Sequence, residues 1–440
     1  MNKWHTKKRF LIGVTTGLFF ASLHDSSQAT FKVEETISPQ SGLKAWCFQD
    51  PSTPIVSVHF AFRGGTYTAP PQKEGIVQLM SSMLDKGTTS WDESTYLDML
   101  DTHGMHLEFH GQHEWIYGSL TTPKEELPHA RKIIKAVMTK PRFKKREREE
   151  SVQEITDAFN AVETLPDTIL DEVSAPLLYG GDHPAGRTKR TRVASLENIL
   201  LKDLSQFLKD HFAQDNLSIA VAGNLTPTEV ADLIDDIFGV LPFKSRLAPV
   251  ADITPYCDGL VHHVPYEQDQ TSIVFYQPGL KRGDPDVLKA SLLMDIMGSG
   301  DLSRLFRLLR EEQACTYNVT CSVKSGLHEG SLCGGLATSP DKTVMVIETI
   351  RQQWRHMQEN GVTEEELQQA TKNVIENLPF YFSTSDATAN YLLDLQLSGH
   401  PRDYLRRRTD IIKSITLDDI NQVAKRLLTP DSLTFFVIGK

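Results

Sequence analysis

The sequence predicts an α+β protein of two homologous domains, each a mostly antiparallel β-sheet covered by α-helices. Three observations carry this. Strand-like and helix-like segments recur in the same order in both halves of the chain. The strands come in pairs divided by turn residues, as in hairpins. A Pro-rich, aperiodic stretch, "LPFKSRLAPVADITPYCDG", separates the halves.

In the first half, "PIVSVHFAF" reads as a strand and "RGGTY" as its turn. A helix follows in "EGIVQLMSSMLDKGT". Its apolar residues Ile76, Val77, Leu79, Met80, Met83 and Leu84 have the spacing of a buried helix face. Gln78, Ser81, Ser82 and Asp85 mark the opposite, polar face. "DESTYLDMLDTHG" is a second helix, "MHLEFHGQHEWIYGSLTT" is strand-like, and "KEELPHARKIIKAVMT" is helical. A longer helix begins near Lys144.

The second half repeats this order. "TSIVFYQPG" is a strand, and "DVLKASLLMDIMGSG" and "LSRLFRLLREEQ" are helices. "TYNVTCSVKSGLHEGSLCGGLATS" gives strands, and two helices follow from Pro340. Thr122-Pro123 and Ser339-Pro340 punctuate equivalent strand-to-helix junctions and lie 217 residues apart. A period this long means domain duplication rather than a solenoid. The expected domains are residues 31–243 and 259–440, joined by a linker at 244–258.

The N-terminus stands apart. Basic "MNKWHTKKRF", apolar "LIGVTTGLFFASL" and small-residue "SSQATF" form the three-part pattern of a secretory signal peptide over residues 1–29. The apolar run is too short and too broken by Thr and Gly for a permanent membrane anchor. A mitochondrial presequence is the rival reading, and the continuous apolar core counts against it. The expected location is therefore exported and periplasmic. Losing residues 1–29 takes the formal charge from −11 to −14. Such an acidic protein does not invite nucleic acid.

Five cysteines, Cys47, Cys257, Cys315, Cys321 and Cys333, do not make a disulfide framework. Cys321 and Cys333 flank a turn and offer one bridge across a hairpin, unless they are simply small buried residues. His103, His106, His110 and His113 look like a metal cluster. Strand geometry opposes this, because residues four apart on one face are about 13 Å apart. The pair His262-His263 points to opposite faces of any strand.

Three segments resemble a known family. "GIVQLMSSMLDKGT" is similar to the zinc helix of the pitrilysin family, which includes insulysin and the mitochondrial processing peptidase. Active members carry His-x-x-Glu-His there, followed by an apolar pair and Lys-Gly-Thr. Gly75, Met83, Leu84, Lys86, Gly87 and Thr88 match. Gln78 stands at the first His, Ser81 at the Glu and Ser82 at the second His. "REREESVQEITDAF" resembles the later helix with the third zinc ligand, and puts Glu154 at that position. "GSGDLSRLFRLLREEQACTYNV" resembles the C-terminal signature, with Arg310 and Tyr317 at its Arg and Tyr.

The resemblance implies processing-peptidase-like half-shells and a lost zinc site. A catalytic zinc needs three protein ligands and a water, with a general base beside it. Gln78 offers only a weak neutral oxygen, Ser82 is a poor ligand, and Ser81 is no base at neutral pH. No metal is therefore expected in this chain. In the family, the Arg and Tyr reach the substrate near the scissile bond. Some members are heterodimers in which one subunit keeps zinc and the other keeps Arg-Tyr. The expectation is a non-catalytic subunit that lends Arg310 and Tyr317 to a zinc-bearing partner and encloses peptide substrates with it. The alternative is a non-proteolytic peptide-binding or scaffold protein of the cell envelope.

Overall fold

A computed structural model describes residues 32–440; the signal peptide expected at residues 1–29 lies outside them. In the first half, β1 (Val33–Ile37), β2 (Lys44–Gln49), β3 (Ile55–Arg63), β4 (His106–Gly111), β5 (Trp115–Pro123) and β6 (Leu217–Gly223) form one sheet. Its order is β1-β2-β6-β3-β5-β4. The helices of this half are α1 (Ile76–Leu84), α2 (Glu93–Thr102), α3 (Leu127–Thr139), α4 (Lys145–Asn160), α5 (Pro166–Tyr179), α6 (Lys189–Ala194), α7 (Leu201–His211) and α8 (Pro227–Phe238).

In the second half, β7 (Val261–Pro265), β8 (Thr271–Pro278), β9 (Val319–Ser325), β10 (Gly330–Thr338) and β11 (Thr434–Gly439) pair in the order β7-β11-β8-β10-β9. Its helices are α9 (Val287–Gly298), α10 (Arg304–Phe306), α11 (Thr343–Asn360), α12 (Glu364–Glu376), α13 (Ser385–Leu397), α14 (Tyr404–Lys413) and α15 (Leu417–Leu427).

Leaving out β1, the two sheets have one topology. The last strand of each half inserts between the first two of its repeat and makes the sheet's parallel pair, β2–β6 in one and β7–β11 in the other. All the other strand pairings are antiparallel. The inserted strands lie deep in the sheets: all six residues of β11 are buried, as are the last five of β6.

One face of each sheet packs on helices of its own half. In the first half, Phe60 and Phe62 of β3 meet Phe238 of α8 and Phe212 after α7 in a single apolar core. The α1 stripe belongs to the same core, with Ile76, Val77, Leu79, Met80, Met83 and Leu84 all buried.

The opposite faces are covered reciprocally. Helix α13 of the second half lies on the first sheet, where Leu392, Leu393 and Leu395 pack with Trp46, Ala61, Trp115 and Ala220. Gln396 donates to the Ile219 carbonyl at 2.9 Å, and His59 meets Asp386 at 2.8 Å. In exchange, α5 of the first half covers the second sheet, with Leu170 and Leu178 against Phe436 and Ile438. Residues 32–440 accordingly form one compact unit. Among the described residues, no helix is long and apolar enough to cross a membrane.

One open alternative is decided and one expectation needs correction. Cys333 of β10 sits opposite Ser322, and Cys321 opposite Gly334. This one-residue offset sends the two cysteines to opposite faces, so they do not bridge the hairpin. All five thiols are free. The helix expected over "LSRLFRLLREEQ" is not a continuous α-helix: after the single turn of α10, Arg307–Glu312 winds as a π-helix.

Candidate functional site

The helix α1 lies along edge strand β4 and beside α4. Its approach to β4 is close: a Cβ on Gly111 would sit 1.9 Å from Val77 Cγ1. This explains a glycine at that strand position. The face carrying Gln78, Ser81, Ser82 and Asp85 is consequently not the solvated face that periodicity alone predicts. Ser81 is buried, and Gln78, Ser82 and Asp85 are half-buried. Gln78 Oε1, Ser81 Oγ and Asp85 Oδ1 are buried without a hydrogen-bond partner among the described residues.

The helix α4 supplies the facing side chains. Ser82 Oγ donates to Ser151 Oγ at 3.0 Å. Glu154, three residues further along α4, is exposed and turns to Lys86 Nζ at 2.8 Å. Lys86 also bonds Glu93 at 2.9 Å. Burial pulls the Lys86 ammonium down, but its two carboxylates more than reverse this, so its pKa lies above the ordinary value. Asp85 is pushed up to about 7, first by burial and then by Glu108, with Lys86 opposing. In the first turn of α4, the Glu147 carboxylate is held below its usual range: burial opposes this, and Arg142 at 2.7 Å overcomes it.

These residues do not fit a catalytic zinc. Ser82, expected at the second ligand position, has its hydroxyl already bonded to Ser151, and Glu154, expected at the third, is paired with Lys86. The first position holds a neutral amide. Ligands of this kind bind zinc poorly, and a serine stands where the family's general base would be. Lys86 and Ser151 were not among the residues singled out in the sequence; Lys86 lay in the matching Lys-Gly-Thr, but its pairing depends on α4.

The structure brings Arg310 and Tyr317 together. Both side chains are exposed, and the Arg310 guanidinium lies 5.0 Å from the Tyr317 ring centroid. The segment that presents them is firmly held. Buried Arg304 makes a two-pronged pair with Glu366, at 2.6 and 2.7 Å, and reaches the Gly361 carbonyl at 2.9 Å. Glu366 is itself fixed in a capping box with Thr363. Thr338 Oγ1 ties down the Cys315 carbonyl, and Thr316 Oγ1 that of Asn318, on either side of Tyr317. The π-helix Arg307–Glu312 and the positive φ of Ala314, 47°, depart from regular backbone just where the pair is presented. Such departures recur at functional sites.

The four histidines do not converge. His106 is exposed beside Glu108, and His110 stacks on Tyr117. His113 opens onto a cavity of about 420 Å³ between the halves, near Tyr67, Arg192 and Lys324. Crowding by protein pushes its imidazole down to about 4, with Arg192 and Lys324 adding to the effect. His103 points elsewhere, toward Glu126.

Known proteins resemble this chain along most of its length. Residues 46–183 match the family model described as insulinase (peptidase family M16), and residues 198–374 the one described as the peptidase M16 inactive domain. The chain belongs to the M16 peptidase family. Among M16 relatives, a Helicobacter pylori protein named non-peptidase homolog YmxG is 21% identical over 98% of both chains. A Bacillus subtilis protein named uncharacterized zinc protease YmxG is 21% identical over 89% of this chain and 95% of its own. The solved M16 inactive domain from Pseudomonas fluorescens has the same fold, with a TM-score of 0.85 and 20% identity over 92% of this chain and 98% of its own.

Proposed function

We propose that this chain is the non-catalytic subunit, with no zinc at its α1–α4 face, of an exported, heterodimeric M16 peptidase. It forms half of a peptide-binding chamber and lends Arg310 and Tyr317 to the active site of a zinc-bearing partner. The observation that carries this reading is a contrast. The α1–α4 face has an amide and two hydroxyls where a metal and base are needed, while Arg310 and Tyr317 are paired, exposed and rigidly presented. A phenol and a guanidinium aimed outward have chemistry to offer a developing oxyanion only where another chain brings the scissile bond. The name of the Helicobacter pylori relative agrees with a chain that does not cut by itself. Export rests on the basic, apolar and small-residue order of residues 1–29.

The test is peptide cleavage by this chain, by a zinc-bearing M16 subunit of the same organism, and by the mixture. Only the mixture should be fully active. Tyr317→Phe and Arg310→Ala should each lower its turnover, on the order of 100-fold for the loss of one oxyanion donor, without weakening association. Cleavage by this chain alone that survives EDTA and ignores the partner would overturn the proposal. Co-purification with no zinc-bearing M16 chain would favour the scaffold alternative.

A further inference from the structure

We propose that His103, Glu126 and His129 form a binding site for one divalent ion of the zinc class, separate from the α1–α4 face. His103 caps the C-terminal end of α2, Glu126 precedes α3, and His129 lies in the first turn of α3. His103 Nδ1 and His129 Nδ1 converge on the same oxygen, Glu126 Oε2, at 2.8 and 2.9 Å. The two imidazoles stack with centroids 4.1 Å apart and planes 18° apart, which holds both nitrogens on one side. The ligand atoms of the three residues all lie within 4.8 Å of one another. Ligands of a tetrahedral zinc at about 2.1 Å stand about 3.4 Å apart, so binding would open the hydrogen bonds to Glu126 and turn the more exposed His129 ring out of the stack until both ring planes meet the ion.

The chemistry fits the geometry. Two imidazoles and one carboxylate are a ligand set that zinc uses when it keeps an open position. The side chains are 22%, 27% and 49% exposed for His103, Glu126 and His129, which leaves that position to water or to a group from outside. The frame is stiff. Glu126 and His129 are three residues apart across the start of a helix, with Pro128 between them. The His103 backbone N–H bonds the Met99 carbonyl at 3.2 Å. Bound metal would tie the end of α2 to the start of α3 across the β4–β5 hairpin.

The test uses the mature chain, stripped by chelator and titrated with Co²⁺ and then Zn²⁺. The expected result is one equivalent of ion, visible cobalt bands and a zinc-edge absorption spectrum with two imidazole ligands. His103→Gln and His129→Gln should each lower affinity more than about tenfold, the loss that even outer partners of a metal site cause. Glu154→Gln should leave binding unchanged. Absence of stoichiometric binding by the wild-type chain would overturn the proposal, with no need of a variant. So would unchanged binding by the doubly substituted chain, His103→Gln with His129→Gln. Binding lost in Glu154→Gln instead would place the ion between α1 and α4, and would overturn both this site and the zinc-free reading of that face. Failure of the peptidase pairing, by contrast, leaves the titration unaffected.

Discussion

Asp85 carries an unusual burden for a helix-terminal carboxyl, and replacing it with Asn should stabilise the protein in a pH-dependent way. Its pKa rises from the ordinary 3.8 to about 7 because burial disfavours the charge and Glu108 adds to this. Between about pH 4 and pH 7 an unfolded chain has lost this proton while the folded chain keeps it. Stability therefore falls as pH rises through that window, and the full penalty is present above it. A displacement from 3.8 to about 7 is worth at most about 4 kcal/mol. Asp85 also ends α1, where a negative charge opposes the helix dipole, and that contribution has the same sign. Asn keeps the shape and removes the titration. At about 2.1 cal/mol/K per residue of unfolding entropy, Asp85→Asn should raise the thermal midpoint at pH 8.5 by up to roughly 5 °C, with the gap closing by pH 4. Scanning calorimetry across this range reads the effect. A difference independent of pH, or a less stable variant at pH 8.5, would refute the reasoning.

Two further perturbations test the architecture. Leu392→Ala removes a fully buried side chain of α13 from the first sheet and should cost about 3 kcal/mol, read as a lower urea midpoint and faster proteolysis within residues 244–258. Gln78→His with Ser82→His should still hold zinc weakly, because Lys86 occupies Glu154; adding Lys86→Met should tighten binding about tenfold or more. Competition with a chromophoric chelator measures this. Equal affinity with and without Lys86→Met would show that the ion pair is no obstacle.

The periodic parts of the molecule were legible in its sequence. The apolar stripe of α1 and the repeated order of strands and helices are local patterns, and both sheets follow them. What escaped depends on distant neighbours. The polar face of α1 is enclosed by β4 and α4, which its own spacing does not reveal. The insertion of β6 and β11 into their sheets joins strands far apart in the chain. The choice between a Cys321–Cys333 bridge and two small buried thiols turned on a single residue of register. The π-helix keeps Arg310 and Tyr317 at the spacing of the family signature but changes the backbone that presents them. His129 lay unnoticed in "EELPH", although Glu and His three apart on a helix start was the available signal; its partner His103 arrives from another helix.

The exchanged helices have a mechanical consequence. A hinge between the two sheets would have to pull α13 off Trp46, Trp115 and Ala220 and α5 off Phe436 and Ile438 at once. Each helix acts as a bolt through the opposite half, so bending the chain at residues 244–258 exposes two apolar faces together. The molecule is thus built as a single stiff jaw. Should it form one wall of the proposed chamber, that chamber would open and close at the seam with the other chain, leaving Arg310 and Tyr317 to move as part of a rigid edge.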